Sequence, residues 1–123
     1  MSQWYKNHIV VPCEEIFEIV TDTDGLGWGL AVARIVESRP HVHEKTKETY
    51  TLISGVLKVH LWPPDIDALP KIILLAEPGQ SVAIPANVTH WAESPDENRG
   101  AMVLVLSIPA WNKEDHILID SAF

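Results

Sequence analysis

The residues best suited to do chemistry in this chain are three histidines and one glutamate. His41 and His43 lie two positions apart, so in an extended segment both imidazoles point to the same face. Glu48 follows five residues later, and His90 comes much further along the chain. Three neutral imidazoles and one carboxylate form a ligand set that suits a divalent transition metal. The sequence predicts one such ion per chain, with Mn, Fe, Ni, Zn and Cu not distinguished.

A surface explanation of the same histidines stays open at this point. A His-X-His pair alone is a weak signal, and exposed histidines are common. The other three histidines, His8, His60 and His116, are expected at the surface or in an interface rather than as ligands. Alternation along a strand puts His60 on an outward face with Lys58 and Trp62.

The ligand candidates lie within a longer pattern of histidine, glutamate, glycine and proline. Its two segments are Pro40-His41-X-His43 with Glu48 and Gly55, and Gly79 with Pro85 and His90. This pattern resembles the two motifs of the cupin superfamily, and the match covers about residues 34–108. The resemblance implies an all-β fold, a jelly-roll β-barrel that forms a single domain over residues 1–123, with the metal held inside it by the same four side chains.

Three positions depart from the family's usual pattern, and none of them is a ligand. Ile35 stands where the first motif usually opens with glycine, and Ser94 stands where the second often has asparagine. Asn87 replaces a glycine two residues after the motif proline, and asparagine tolerates the left-handed conformation that a turn can need there. The departures leave the subfamily open.

Two further residues are candidates for contact with a bound molecule. If Glu48 faces inward, alternation along the strand turns Tyr50 inward as well, which makes its hydroxyl the catalytic candidate. Packing of the ring alone is the alternative. Arg34 is the substrate-binding candidate, because an inward guanidinium can hold an anionic group by a forked contact. Its strand has apolar residues on both faces, so the sequence does not fix its direction. Lys45 and Lys47 are expected in a solvated loop.

Short strands separated by turns are expected to position these groups. Nine prolines and six glycines are spread along the chain, as is typical of a strand-rich fold. The predicted strands are residues 28–36, 48–53, 56–62, 71–76, 81–84, 89–93 and 101–108, with a loop over 63–70. Their spacing predicts a sandwich or barrel.

The N-terminal third is the least defined part of the pattern. Residues 9–20 fit a helical stripe almost as well as a strand, and we favour the strand. Cys13 is the only cysteine, which excludes an internal disulfide, and we expect it to be a packed residue rather than a nucleophile.

The length and composition of the chain argue against nucleic acid and membranes as partners. The chain has 123 residues, enough for one domain. It has 9 basic and 17 acidic residues, a formal charge of −8 and only three arginines, which argues against nucleic acid because phosphate needs a basic face. No apolar run approaches the roughly 20 residues that span a bilayer. No signal segment opens the chain, so we expect a cytoplasmic protein with no membrane partner.

The five tryptophans suggest a partner subunit. Trp62 and Trp91 are expected to point outward, and large aromatic side chains on an outer face are commonly covered by another chain. We therefore predict a homodimer. Trp4 and Trp111 are expected to pack beneath the termini instead.

Two classes of function fit these observations. The first is a metal-dependent enzyme acting on a small oxygen-bearing molecule, for which the resemblance implies oxygenase, isomerase or epimerase, or lyase chemistry. The alternative is a non-catalytic protein that binds or senses a metal or a small molecule. A structural barrel with a vestigial site is disfavoured, because all four ligand types are present.

Overall fold

The computed structural model describes residues 3–63 and 69–119, which form an almost entirely β structure. The strands are β1 (Asn7–Val11), β2 (Glu14–Val20), β3 (Gly29–Ile35), β4 (His41–Val42), β5 (Lys47–Ser54), β6 (Leu57–Trp62), β7 (Lys71–Leu75), β8 (Ser81–Ile84), β9 (Thr89–Glu93), β10 (Ala101–Ile108) and β11 (Ile117–Leu118). Two 3-10 turns cover Asp22–Asp24 and Lys113–Asp115. The prediction of an all-β fold is confirmed.

The strands form two antiparallel sheets that face one another. The six-stranded sheet has the order β1-β2-β3-β10-β5-β8, and the five-stranded sheet has the order β11-β4-β9-β6-β7. Most neighbours in these sheets are distant in sequence; β10, for example, lies between β3 and β5. This topology brings the ligand candidates together, because β4 and β9 are neighbours in one sheet and β5 lies in the other.

The core lies between the sheets and follows the alternation expected of half-buried strands. The inward side chains that this alternation predicts are all buried: Glu48, Tyr50, Leu52, Leu57, Val59, Leu61, Val82, Ile84, His90 and Ala92. Strands β5 and β9 therefore point Glu48 and His90 into an otherwise apolar interior.

Residues 9–20 belong to a β-hairpin, so the preferred strand interpretation is correct and the helical one is wrong. β1 pairs with β2 in antiparallel register, and the chain turns at Pro12 and Cys13 between them. Cys13 adopts a left-handed φ of 66° and is exposed. The expectation of a packed cysteine is therefore wrong, because the residue forms the turn rather than a strand.

Strands β4 and β11 were not expected from the sequence pattern. Each contains only two residues, which is too short to show alternation. The predicted loop over 63–70 lies largely outside the described residues, which resume at residue 69. In the described part of the chain, no helix is long and apolar enough to cross a membrane.

Candidate metal centre

Four buried side chains converge between the two sheets. His41 on β4 pairs directly with His90 on β9, and His43 follows at the end of β4. Glu48 reaches the same point from β5 in the facing sheet. One ligand atom from each residue lies within 4.8 Å of the others. The four residues that the sequence predicts as ligands are thus brought together.

Each histidine ring is oriented by a main-chain carbonyl. The carbonyls that accept a hydrogen bond from Nδ1 are those of Arg39 for His41 (2.7 Å), Val88 for His90 (3.0 Å) and Asp115 for His43 (2.9 Å). Because a carbonyl only accepts, the proton of each neutral ring resides on Nδ1. All three Nε2 atoms are left with a lone pair, as metal ligation requires.

The contacts of Glu48 show that a cation fits among these atoms. Its Oε1 lies 3.0 Å from Nε2 of His43 and 3.2 Å from Nε2 of His90. Among the described residues, the Nε2 of His43 is the buried side-chain nitrogen or oxygen that lacks a well-formed hydrogen bond. An unpaired buried polar atom is costly. Ligation of a divalent metal by three imidazoles and one carboxylate would remove that cost, so the donor set fits such an ion.

Burial and mutual contacts set the protonation of the ligands. Burial, with the nearby His90, lowers the pKa of His41 to about 3, so this ring stays neutral. Burial acts against the charge of Glu48, but its close contacts with the imidazoles of His43 and His90 outweigh burial and hold the pKa of the carboxyl well below its usual range. Burial also opposes the charge of His43, yet the Glu48 carboxylate outweighs it and raises the pKa of that imidazole.

Asp115 holds the loop between the ligands from the far end of the chain. Its carboxylate accepts hydrogen bonds from the main-chain N–H groups of Glu44, Lys45 and Thr46, at 2.9 to 3.1 Å for the shortest contacts. Its main-chain carbonyl orients His43. One buried residue therefore fixes both a ligand ring and the loop that leads to the next ligand.

A cavity of about 580 Å³ is lined by three of the four ligands, His41, His43 and Glu48. Aliphatic side chains from β1, β2 and β3 form part of its wall. Its charged lining residues are Glu14, Glu18, Glu37, Arg39 and Glu48. Carboxyls therefore outnumber guanidinium groups on this wall.

Neither a family model nor a curated protein matches the sequence. Solved structures do match it. Oxalate decarboxylase from Bacillus subtilis superimposes with a TM-score of 0.77 at 15% identity, over 92% of this chain and 30% of the decarboxylase. Oxalate decarboxylase from Lactobacillus farciminis, in a formate complex, gives a TM-score of 0.73 at 14% identity, over 92% and 33%. KdgF from Halomonas sp. gives 0.64 at 16% identity, over 89% and 92%.

Oxalate decarboxylase and KdgF both have the cupin architecture, and the likeness extends over nearly the whole chain. The chain has a cupin fold. The expected jelly-roll class is thereby confirmed. The chain spans about a third of the length of the oxalate decarboxylases, at 30% and 33%, but 92% of KdgF. At identities of 14 to 16% the likeness establishes the fold alone.

The two predicted contact residues of the cupin lie in different places. Tyr50 is buried and lines the cavity. Burial, together with the nearby carboxylate of Glu48, keeps the pKa of Tyr50 well above its usual range, so its hydroxyl stays protonated and can donate. Arg34 points to the opposite side of β3 from Ala33 and Ile35, which line the cavity. Its guanidinium binds the carboxylate of Glu15 at 2.7 and 2.9 Å instead, so the structure does not bring it to the cavity.

His116 is a cavity residue that the sequence does not reveal. Its ring stacks on His41 with centroids 4.4 Å apart, and Nε1 of Trp111 donates to its Nδ1 at 3.1 Å. Burial, with the nearby His43, lowers its pKa. The surface expectation for His116 is wrong, because the turn Lys113–Asp115 folds back over the site. His8 is exposed as expected and contacts Glu15, outside the cavity.

Metal affinity of the cupin is expected to fall as the pH drops towards 5. The raised pKa of His43 means that the metal-free protein binds a proton there at and below the ordinary histidine pKa of about 6.5, and the metal must displace it. His41, with a pKa of about 3, contributes no such proton. Each displaced proton lowers affinity about tenfold per pH unit. Isothermal titration between pH 8 and pH 5 measures this, and an affinity that does not change would contradict imidazole ligation.

Proposed function

We propose that this cupin is a metal-dependent enzyme acting on a small, uncharged molecule that bears a hydroxyl or keto oxygen. The observation that carries the proposal is the cluster of His41, His43, Glu48 and His90, three of whose members line a cavity of about 580 Å³ (His41, His43 and Glu48). Ligand sites for small molecules are typically cavities of this size with a few convergent polar groups. A divalent ion held by the four side chains would act as a Lewis acid on the ligand's oxygen.

The wall of the cavity supports an uncharged ligand. Oxalate decarboxylases are named for a dicarboxylate. In the present cavity a dicarboxylate would lie beside carboxyls from β2 and β5, and among the described lining residues Arg39 is the one that carries a guanidinium. A molecule with one or two neutral oxygens and an apolar body avoids that repulsion. Oxygenase, isomerase or epimerase, and lyase reactions are all compatible with such a molecule.

Different groups of the chain exclude water, bind the ligand's oxygen and orient the histidine rings. Aliphatic side chains exclude water from the apolar part of the ligand, which strengthens polar contacts inside. The protonated hydroxyl of Tyr50 donates a hydrogen bond to a ligand oxygen. The main-chain carbonyls behind the three histidines keep the rings fixed while ligands exchange.

Replacing Tyr50 by phenylalanine is expected to weaken ligand binding or turnover by about tenfold, since one hydrogen bond of about 1–1.5 kcal/mol is lost. Metal content should not change, because the hydroxyl is not a ligand. The test compares metal analysis with turnover of a panel of sugars, keto acids and diketones, with each metal and with or without oxygen.

The matched control is Tyr5→Phe, since Tyr5 packs against Trp4 and Phe17 outside the cavity. Turnover that survives complete metal removal would defeat the proposal. Tight metal-dependent binding of a panel member without any turnover would favour the alternative, a binding or sensing protein.

We also propose that the cupin is a homodimer. The outer face of β9, β6 and β7 carries several aromatic and aliphatic side chains beside Lys58 and Glu93. His60 stacks on Trp91 with ring centroids 4.2 Å apart and pairs across the sheet with Ile72. Ile72 and Leu74 are 61% and 55% exposed. Exposed apolar surface of this kind is commonly covered by a partner.

A dimer predicts a mass near twice 13.7 kDa by sedimentation equilibrium. Trp62→Glu should shift the protein to monomer, and Ile72→Glu provides a second test at a more exposed position. The control is Val10→Glu, because Val10 is 67% exposed on the other sheet. A monomer at micromolar concentration would overturn this proposal.

A further inference from the structure

Glu14 is a carboxyl in the cavity that does not belong to the cluster of metal-ligand candidates. It is the first residue of β2 and lines the cavity together with Ile16 and Glu18 from the same face of the strand. Its strand partners are Val11 and Ile35, both of which line the cavity too. Within the part of the chain that the structure describes, no group donates a hydrogen bond to its carboxyl.

The neighbouring Glu15 shows how different this environment is. Glu15 points to the outer face of β2, where Arg34 donates to it at 2.7 Å and His8 contacts it at 2.8 Å. Those hydrogen bonds lower the pKa of Glu15. Two consecutive glutamates thus lie on opposite faces of one strand, the first in an apolar cavity and the second in an ion pair.

Most charged groups around Glu14 are carboxyls, which favour its protonated form, whereas Arg39 and a protonated His43 in the same cavity favour its ionised form. Glu48 and Tyr50 face it from β5, and Glu18 lies beside it on β2. Glu37 and Arg39 line the cavity beyond β3, whereas β1 contributes only aliphatic side chains.

The environment allows Glu14 to exchange a proton near neutral pH. Burial, with a smaller contribution from Glu48, raises its pKa to about 7. A carboxyl with such a pKa holds or releases a proton at the pH at which a general acid or base is most effective.

We propose that Glu14 is the catalytic acid–base residue of the cavity, exchanging a proton with a ligand whose oxygen is held at the cluster of His41, His43, Glu48 and His90. This inference rests on the proposed function. It assigns the proton transfer to a residue on the N-terminal hairpin, on the opposite wall from the three histidines. Glu14 lines the same cavity as His41, His43 and Glu48, so a ligand in this cavity can contact both Glu14 and the cluster.

The step balances without an oxidant. For an α-hydroxy ketone, the C–H bond next to the carbonyl breaks and its proton passes to the carboxylate of Glu14. The electron pair moves into a carbon–carbon double bond as the carbonyl oxygen takes up the negative charge. Return of a proton from Glu14 to the same carbon restores the ketone. In D₂O the carboxyl exchanges its proton with solvent, so the returned atom is deuterium.

The test uses 3-hydroxybutan-2-one as the probe, with the Zn²⁺-loaded protein in D₂O and deuterium incorporation followed by proton NMR. Glu14→Gln should slow incorporation by about 100-fold or more, the usual contribution of a general base. Glu15→Gln is the matched control and should stay within about twofold, because exposed ion pairs contribute little.

Carbon-13 NMR of glutamate side chains in the metal-free protein gives a readout that does not depend on activity. One carboxyl should titrate with a midpoint near 7, and its signal should be missing in Glu14→Gln. Zn²⁺ content should be the same in both variants and in the unmodified protein.

The outcomes separate the two proposals. Loss of Zn²⁺ binding by the unmodified protein would defeat the proposed function. Retained Zn²⁺ with equal incorporation in Glu14→Gln and Glu15→Gln would overturn the role of Glu14 alone. A Glu14 carboxyl that titrates below about 5, or a Zn²⁺-loaded protein that exchanges no proton of the probe, would overturn it as well.

Discussion

His43→Ala is expected to lower the affinity for a divalent metal by more than about 100-fold while the two sheets remain folded. The Nε2 of His43 is a buried atom without a well-formed hydrogen bond, and its removal takes away one of four ligands. His90→Ala should behave in the same way, since the ring of His90 contacts the same oxygen of Glu48. Metal analysis after dialysis gives the affinity, and circular dichroism reports the fold.

The matched control for these variants is His8→Ala. His8 is exposed on β1 and contacts Glu15 outside the cavity, so its loss should leave metal content unchanged. A metal content that is the same in His43→Ala, His90→Ala and the unmodified protein would contradict the assignment of the ligands.

Asp115→Ala is expected to lower the free energy of unfolding by about 3 kcal/mol and metal affinity by about 10- to 100-fold. The substitution leaves the N–H groups of Glu44, Lys45 and Thr46 without their acceptor. It also removes the bonds that tie this turn, whose carbonyl orients His43, to the loop at Glu44–Thr46. Urea unfolding and metal titration measure the two effects.

Two further variants distinguish this role from general damage to the turn. Asp115→Asn keeps one acceptor oxygen but loses the charge, so its effects should be intermediate. Glu114→Ala alters an exposed neighbour in the same turn and should change neither quantity by more than about 0.5 kcal/mol. Normal stability of Asp115→Ala would contradict the role assigned to the carboxylate.

The strands in which apolar and polar residues alternate clearly, with turn residues at both ends, are predictable from the sequence. The pattern predicts β8, β9 and β10 with the bounds that the structure has, because proline, glycine and polar turns flank each of them. The four ligand candidates follow from residue type and spacing together with the resemblance to the cupin motifs, since a His-X-His pair in an extended segment puts both imidazoles on one face.

The remaining residues of the cavity depend on tertiary folding that local patterns do not encode. Arg34 lies on a strand with apolar residues on both faces, so alternation cannot fix its direction. Glu14 follows a turn at Cys13, whose positive φ sets which residue of the Glu14–Glu15 pair faces inward. His116 reaches the site only because the segment after β10 folds back across the sheets.

The position of Asp115 in the sequence has a consequence for the order of events during synthesis. The loop at Glu44–Thr46 and the ring of His43 belong to the first half of the chain, but the groups that hold them come about seventy residues later. A nascent chain that already contains all four ligands still lacks this support until residue 115 has left the ribosome. We therefore expect tight binding of a metal ion only after the C-terminal segment has docked.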